Sequence, residues 1–308
     1  MLGNFERNRK LIQLLVACSE QVRDALLRAE SHRFAEVVGL GADGADTSHI
    51  DQVAEEAAIT CLDEAPIEMN IFSEEVGYLD RSSSLTAIVD PIDATNNATA
   101  LPNFINQPGD DLDNVAEYPL REGHIFGFPY YAFSVGVLQD GELIAGCVRN
   151  LPTGEIFTAI KGDGVRLDGV PVRGSGRKSL QGTRIALIRP ETETALRVTT
   201  LLLLDRQLRV RLTGCSALDL ALIASGSLDG LVNPNLVSPG GHGEKIVDYA
   251  GALMLLNEMG GVLTGFDGSP ISLDLDLSRR TPLFAAGTPE LHAALTEHLH
   301  AIEWPEQP

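Results

Sequence analysis

One stretch constrains the fold more than any other: IVDPIDAT, Ile88 to Thr95. An apolar pair, Ile88-Val89, runs straight into two carboxylates spaced around a proline, Asp90-Pro91-Ile92-Asp93. A proline disfavours the helical region for the residue before it, so Asp90 is expected to be held extended at a strand end. The same proline suits the first turn of a helix, which would bring Asp93 round about one turn later to share a centre with Asp90. Hard oxygens at a strand–helix junction suit Mg2+. The backbone N–H groups of Ala94 and Thr95, at the start of that helix, are placed for an anion. Metal and anion together point to phosphate. Taken alone, the stretch reads equally as a plain turn capped by Asp93, with Asp90 in solvent.

Two other places bear on the choice. IFSEEVG puts Glu74 and Glu75 after a second strand, and EKIVDYAGA puts Asp248 near the start of an otherwise apolar helix. A lone carboxylate beside Val247 and Tyr249 is costly in a packed face unless it is paired or holds a metal. The plainer alternative for Asp248 is a first-turn acid favoured by the helix dipole.

Composition narrows the partners. The chain has 308 residues, 44% of them hydrophobic, enough for one large domain or two intimately packed ones. A net charge of −20 repels nucleic-acid backbone and anionic membrane unless cations intervene. Neither a nucleic-acid polymer nor a membrane is therefore expected as a partner. Cys18, Cys61, Cys147 and Cys215 lie far apart without a CxxC pair, as in a reduced, cytoplasmic protein. Arg9-Lys10 before LIQLLVAC imitates a lipoprotein cleavage site at Cys18. Its apolar core is short, however, and the periodicity continues through Val22, Leu26 and Leu27, so an amphipathic helix is expected.

Along the chain, a helix is expected over residues 4–30, a glycine-rich loop from Gly39, and a second helix capped by Thr47 or Ser48. Strands are expected at IEMNIFS and LTAIVD, then a hairpin about Asp140-Gly141. The acidic, Asn- and Pro-rich stretch of residues 100–127 has no apolar period and reads as a long loop. A polar seam at residues 175–182 suggests two subdomains, 1–178 and 179–308. Beyond it, helices are expected at 191–204, CSALDLALIASG and EKIVDYAGALMLLNEMGG, the last two ending at glycines.

The motifs together carry a resemblance. ADTSHIDQVAEEAA, SEEVG, IVDPIDAT, GCVRNLPTGEIFTAIKGDGVRLDGVPVR, SALDLALIASGSLDG and VDYAGALMLLNEMGGVL follow in order over nearly the whole chain. In this they resemble the inositol monophosphatase family of Mg2+-dependent, lithium-sensitive-type phosphatases. That family also includes archaeal-type fructose-1,6-bisphosphatases and nucleotide 3′-phosphatases. The resemblance implies an α/β fold, a layered αβαβα sandwich with the site between two subdomains, and a homodimer. It implies that Glu74, Asp90, Asp93 and Asp248, with the Ile92 carbonyl, hold two or three Mg2+. It implies a catalytic Asp51, hydrogen-bonded to Thr95, beside Glu74. The reaction implied is hydrolysis of a small sugar, cyclitol or nucleotide phosphomonoester. A family member that only binds a phosphorylated ligand, or acts as an interaction protein, is the alternative.

Four departures from the family pattern are visible. Ala94 stands where the family has glycine; a helix-start residue at negative φ tolerates that change. The stretch of residues 100–127 delays the next strand, and a loop at 234–244 lengthens the approach to Asp248. Where inositol-specific members place an acid, this chain has Asn233. With Ala94 and Thr95, the residues Asn233, His242 and Lys245 are the expected substrate contacts.

Overall fold

The computed structural model describes residues 2–100, 125, 127–235 and 243–301. Helix α1 (Leu2–Arg28) leads through a short 3-10 turn into a small hairpin of β1 (Val37–Leu40) and β2 (Asp46–Ser48), then α2 (His49–Asp63). Next comes an eight-stranded sheet: β3 (Asn70–Ser73), β4 (Gly77–Leu79), β5 (Leu85–Asp93), β6 (Ala132–Gln139), β7 (Glu142–Asn150), β8 (Ile156–Ile160), β9 (Gly164–Leu167) and β10 (Val170–Val172). Its order is β10-β9-β8-β7-β6-β5-β3-β4, antiparallel except for the β3–β5 pair. A single turn of helix, α3 (Thr95–Ala98), follows β5.

The second sheet has five strands: β11 (Thr183–Leu187), β12 (Leu208–Leu212), β13 (Gly230–Val232), β14 (Val262–Gly265) and β15 (Leu283–Ala286), in the order β12-β11-β13-β15-β14. Around it lie α4 (Glu193–Leu204), α5 (Ser216–Ala224), α6 (Ile246–Glu258) and α7 (Pro289–Ala301).

Side-chain alternation assigns the layers. On α1, Leu11, Leu15, Cys18, Val22 and Leu26 recur at helical spacing and are all buried. They pack with α2 against Val89, Phe133, Val135 and Val137 on one face of the large sheet. The opposite face, through Ile88, Ala132 and Val148, meets α5 and α6. The same core cluster continues into Ala186, Leu231 and Ala285 of the second sheet, while their neighbours Ile185, Leu187, Val232 and Phe284 pack outward against α4 and α7. The result is an αβαβα sandwich. Among the described residues no helix is long and apolar enough to cross a membrane.

The expected hairpin at Asp140-Gly141 is present, with φ of 53° and 80°, the paired positive angles of a tight hairpin turn. The glycine-rich stretch from Gly39 is more ordered than a loop: it forms β1, β2 and their connection. Strands β4 and β14 were also not expected, each being only three or four residues long.

The seam between α6 and the large sheet is unusually close. A Cβ on Gly146 would meet Met254 Cβ at 2.7 Å as well as the Gly251 carbonyl, and one on Gly251 would meet Ser134 Oγ at 2.7 Å. Only glycines allow this approach, which sets the height of α6, and so of Asp248, above β6 and β7. Gly146→Ala is expected to destabilise the fold by about 1–3 kcal/mol through overpacking, read as a lower urea midpoint at unchanged slope.

Candidate active site

Carboxylates converge from four elements. Glu74 lies in the β3–β4 turn, Asp90 and Asp93 on β5, Asp248 in the first turn of α6, and Asp51 in the first turn of α2.

Strand β5 does not end at Asp90. It pairs with β6 as Asp90↔Ser134, slips, and resumes as Asp93↔Ala132. Three steps along β5 match two along β6, which is a bulge. Because Ser134 and Ala132 share a face, the extra residue turns Asp93 to the side of Asp90. Pro91 fits there, since a bulged position has no ladder hydrogen bond for it to lose. Ile92 N–H instead donates to Asp90 Oδ1 at 3.0 Å. The expected helical turn at the proline is thus corrected: a bulge does its work.

A second correction concerns Ala94. It sits at φ 75°, ψ 51°, in the left-handed region, not at the negative φ expected of a helix start. That conformation costs a residue bearing a Cβ about 1–2 kcal/mol, whereas glycine adopts it freely. The helix after it has only four residues, Thr95–Ala98, and hence only a small part of a helix dipole to offer an anion.

Thr95 Oγ1 donates to Asp51 Oδ1 at 2.9 Å. Ser48 fixes the other oxygen of Asp51, donating from N at 3.1 Å and from Oγ at 2.6 Å. The Ile92 carbonyl lies 3.2 Å from Thr95 Oγ1. Glu74, Asp90 and Asp248 each bring an oxygen within 4.8 Å of the others. Asp93 is not in that trio. Its Oδ2 accepts from Ala217 N at 2.6 Å and Cys215 Sγ at 3.1 Å, so it backs onto the start of α5.

The electrostatics are those of crowded anions. Burial, then the charges of Asp93 and Asp248, push Asp90 well above the carboxylate range. Burial and the charges of Glu244 and Glu74 do the same to Asp248. Asp93 is pushed up to about 8 by burial and by Asp248. Three crowded carboxylates, Asp90 buried and Glu74 and Asp248 half-buried, fit a hard divalent cation, which would remove the repulsion and take the oxygens as ligands.

Some contacts around this cluster, and the residues Asp43 and Glu244, were not foreseen from sequence. Lys245 Nζ donates to Asp43 Oδ2 at 2.5 Å and also to Glu74 Oε1. Asp43 belongs to the β1–β2 connection, which is pinned to the Glu-Glu turn by Ala42 N–H donating to the Glu75 carbonyl at 2.8 Å. Glu244, four residues before Asp248, is pushed up to about 7 by burial and by the charge of Asp93. A carboxylate in a glycine-rich loop and another one helical turn ahead of Asp248 were the available signals, but spacing alone gave no reason to join them. Asn233 is buried just after β13; its Oδ1 accepts from Asn235 N at 2.9 Å, and its Nδ2 has no hydrogen-bond partner among the described residues. His242 lies outside the described residues, as do nearly all of the 100–127 stretch and much of the 234–244 loop.

Residues 7–303 match the inositol monophosphatase family. The chain belongs to that family. Membership places it among phosphoric monoester hydrolases. A fructose-1,6-bisphosphatase/inositol-1-monophosphatase of Methanothermobacter thermautotrophicus is 32% identical over 304 residues, covering 93% of this chain and 95% of that one. A bifunctional NADP phosphatase/NAD kinase of Methanocaldococcus jannaschii is 31% identical over 265 residues, covering 82% of this chain and 44% of that one. Among solved structures, the extragenic suppressor protein SuhB of Bartonella henselae superposes with a TM-score of 0.71 at 23% identity, covering 94% of this chain and 98% of that one. At that identity the likeness concerns the fold alone. Within this inositol monophosphatase fold, the bulge and the close α6 seam are the local devices that bring the acidic trio together.

Two expectations follow. Ala94→Gly relieves the left-handed strain, partly offset by glycine's freer unfolded chain, for a net gain of about 0.5–1 kcal/mol. Calorimetry should show a melting temperature about 1 °C higher. The second concerns pH. Asp93, at about 8, and Glu244, at about 7, have folded values above the unfolded carboxylate value. Stability from such groups is fully present below that unfolded value, near ~4, and is lost as pH rises through the folded value. In EDTA the melting temperature should therefore fall by several degrees between about pH 5 and about pH 8. Asp93→Asn should flatten that slope, and saturating Mg2+ should flatten it in the wild-type chain.

Proposed function

We propose that this chain is a Mg2+-dependent phosphomonoesterase acting on a small phosphorylated sugar, cyclitol or nucleotide. The observation that carries this reading is the acidic trio beside a hydrogen-bonded Thr–Asp pair: Glu74, Asp90 and Asp248 within 4.8 Å, next to Thr95 and Asp51 at 2.9 Å. Glu74, Asp90 and Asp248 would hold Mg2+, with Asp93 and the Ile92 carbonyl completing the set for two or three ions. When bound, the metal supplies Lewis acidity, lowering the pKa of a water and neutralising phosphate charge.

The chain's own groups do the rest. Thr95 donates a hydrogen bond from its hydroxyl to the Asp51 carboxylate, which leaves its oxygen lone pairs free to accept from a water and hold that water in line. A proton leaving the water can pass through the Thr95 hydroxyl to Asp51. Asp51 suits the task because burial lifts its pKa above the usual range, although Ser48 and Thr95 partly oppose that lift. Ser48 holds the carboxylate still while its other oxygen works. The hydrolysis needs no covalent intermediate.

Substrate breadth is supported by the relatives, named for fructose-1,6-bisphosphate and inositol phosphate in one case and for NADP in another. The buried Asn233, with a free N–H donor, and Lys245 are assigned to the substrate side, together with Ala94, Thr95 and His242. We assign a cytoplasmic homodimer to this reading, supported by family membership and by four free, buried cysteines; light scattering on the purified chain tests the dimer.

Phosphate release from a panel of sugar, inositol and nucleotide phosphates decides the proposal. Release is expected with Mg2+ and none with EDTA. Thr95→Ala should lower kcat by about 10²–10⁴-fold with a smaller change in KM, because the interaction serves the transition state. No release from any substrate would sink the enzyme reading in favour of a phosphate-ligand-binding member of the family.

A further inference from the structure

The ammonium of Lys245 occupies an unusual position. Its side chain is 11% exposed, and its partners Asp43 and Glu74 are 3% and 23% exposed. Nζ is 2.5 Å from Asp43 Oδ2 and in contact with Glu74 Oε1. The backbone of the same residue serves the same cluster: Lys245 N donates to Asp248 Oδ2 at 2.6 Å. One residue thus binds three carboxylates, and two of them, Glu74 and Asp248, belong to the trio that fits a metal. The segment is anchored from behind, where Glu244 and Thr281 exchange backbone hydrogen bonds at 2.9 Å each. Arg280, next to Thr281, approaches Asp43 at 4.0 Å.

Two cations on one half-buried carboxylate lie within a few ångströms of each other and repel strongly. A divalent ion held by Glu74 and an ammonium on Glu74 therefore compete. We propose that Lys245 is an internal counter-cation of the metal centre: its ammonium neutralises Glu74 and Asp43 until a divalent ion displaces it from Glu74, leaving it on Asp43. This rests on the metal reading above and adds to it a residue that sets how tightly the metal is held. In either state Lys245 stays on Asp43, so the β1–β2 connection keeps its tether to the start of α6 while Glu74 changes hands.

The test is direct binding of Mn2+ to the full chain, followed by electron paramagnetic resonance or calorimetry, without reference to turnover. Lys245→Met removes the charge and keeps the length; Mn2+ should bind about tenfold to a hundredfold tighter. Lys245→Arg keeps the charge and should bind within about threefold of wild type. A second measurement needs no variant. The chain has four lysines, Lys10, Lys161, Lys178 and Lys245. Acetylation followed by mass spectrometry should show Lys245 becoming severalfold more reactive on addition of Mn2+, while the other three stay unchanged. Unchanged or weaker binding in Lys245→Met, equal tightening in Lys245→Arg, or a Lys245 no more reactive with Mn2+ would overturn the inference and leave the metal reading standing. A wild-type chain that binds no Mn2+ would overturn both.

Discussion

Repulsion among buried carboxylates is the constraint on which the rest of this structure depends. Asp90 is lifted by burial and by the charges of Asp93 and Asp248, Asp93 by burial and by Asp248, and Asp248 by burial and by Glu244 and Glu74. Left to themselves, such groups would separate or pick up protons. Separation is prevented by stiff main-chain packing: a bulge in β5, the first turns of α2 and α6, and a glycine-lined seam that presses α6 onto the sheet. Buried charge is poor evidence for stability, and here it is better understood as function held in place by the stability of its surroundings.

The division of labour follows from topology. The large sheet carries Asp90 and Asp93, and α6 brings Asp248 from a later part of the chain across the sheet's far face. The same core cluster runs from the large sheet through α5 and α6 into the second sheet, so neither half can move far without disturbing the other's packing. The site lies at the rim of that shared core, where helix starts and strand ends leave polar main chain available.

Much of this was legible beforehand. The apolar periods of α1 and α2, the Asp140-Gly141 hairpin and the glycine-terminated helices α5 and α6 obey local rules that the tertiary structure does not override. The carboxylates of the centre were legible too, because charge in an apolar context demands an explanation. What failed was local geometry. Pro91 is compatible with both a helix start and a bulge, and the choice is made by pairing with β6, forty residues away in sequence and invisible locally. The left-handed Ala94 comes directly after that bulge, and no local signal distinguishes it from a helix start. The pairing of Asp43 with Lys245 was obscure for a different reason: it spans 202 positions of the chain, and Asp43 alone reads as solvated loop.

The strained alanine has a genetic consequence. Every alanine codon becomes a glycine codon by one change at its second base. Residue 94, held at φ 75° beside the chemistry, therefore sits a single point mutation from an unstrained main chain. Random mutagenesis followed by thermal selection would reach it in its first round, before any combination of changes has to be assembled.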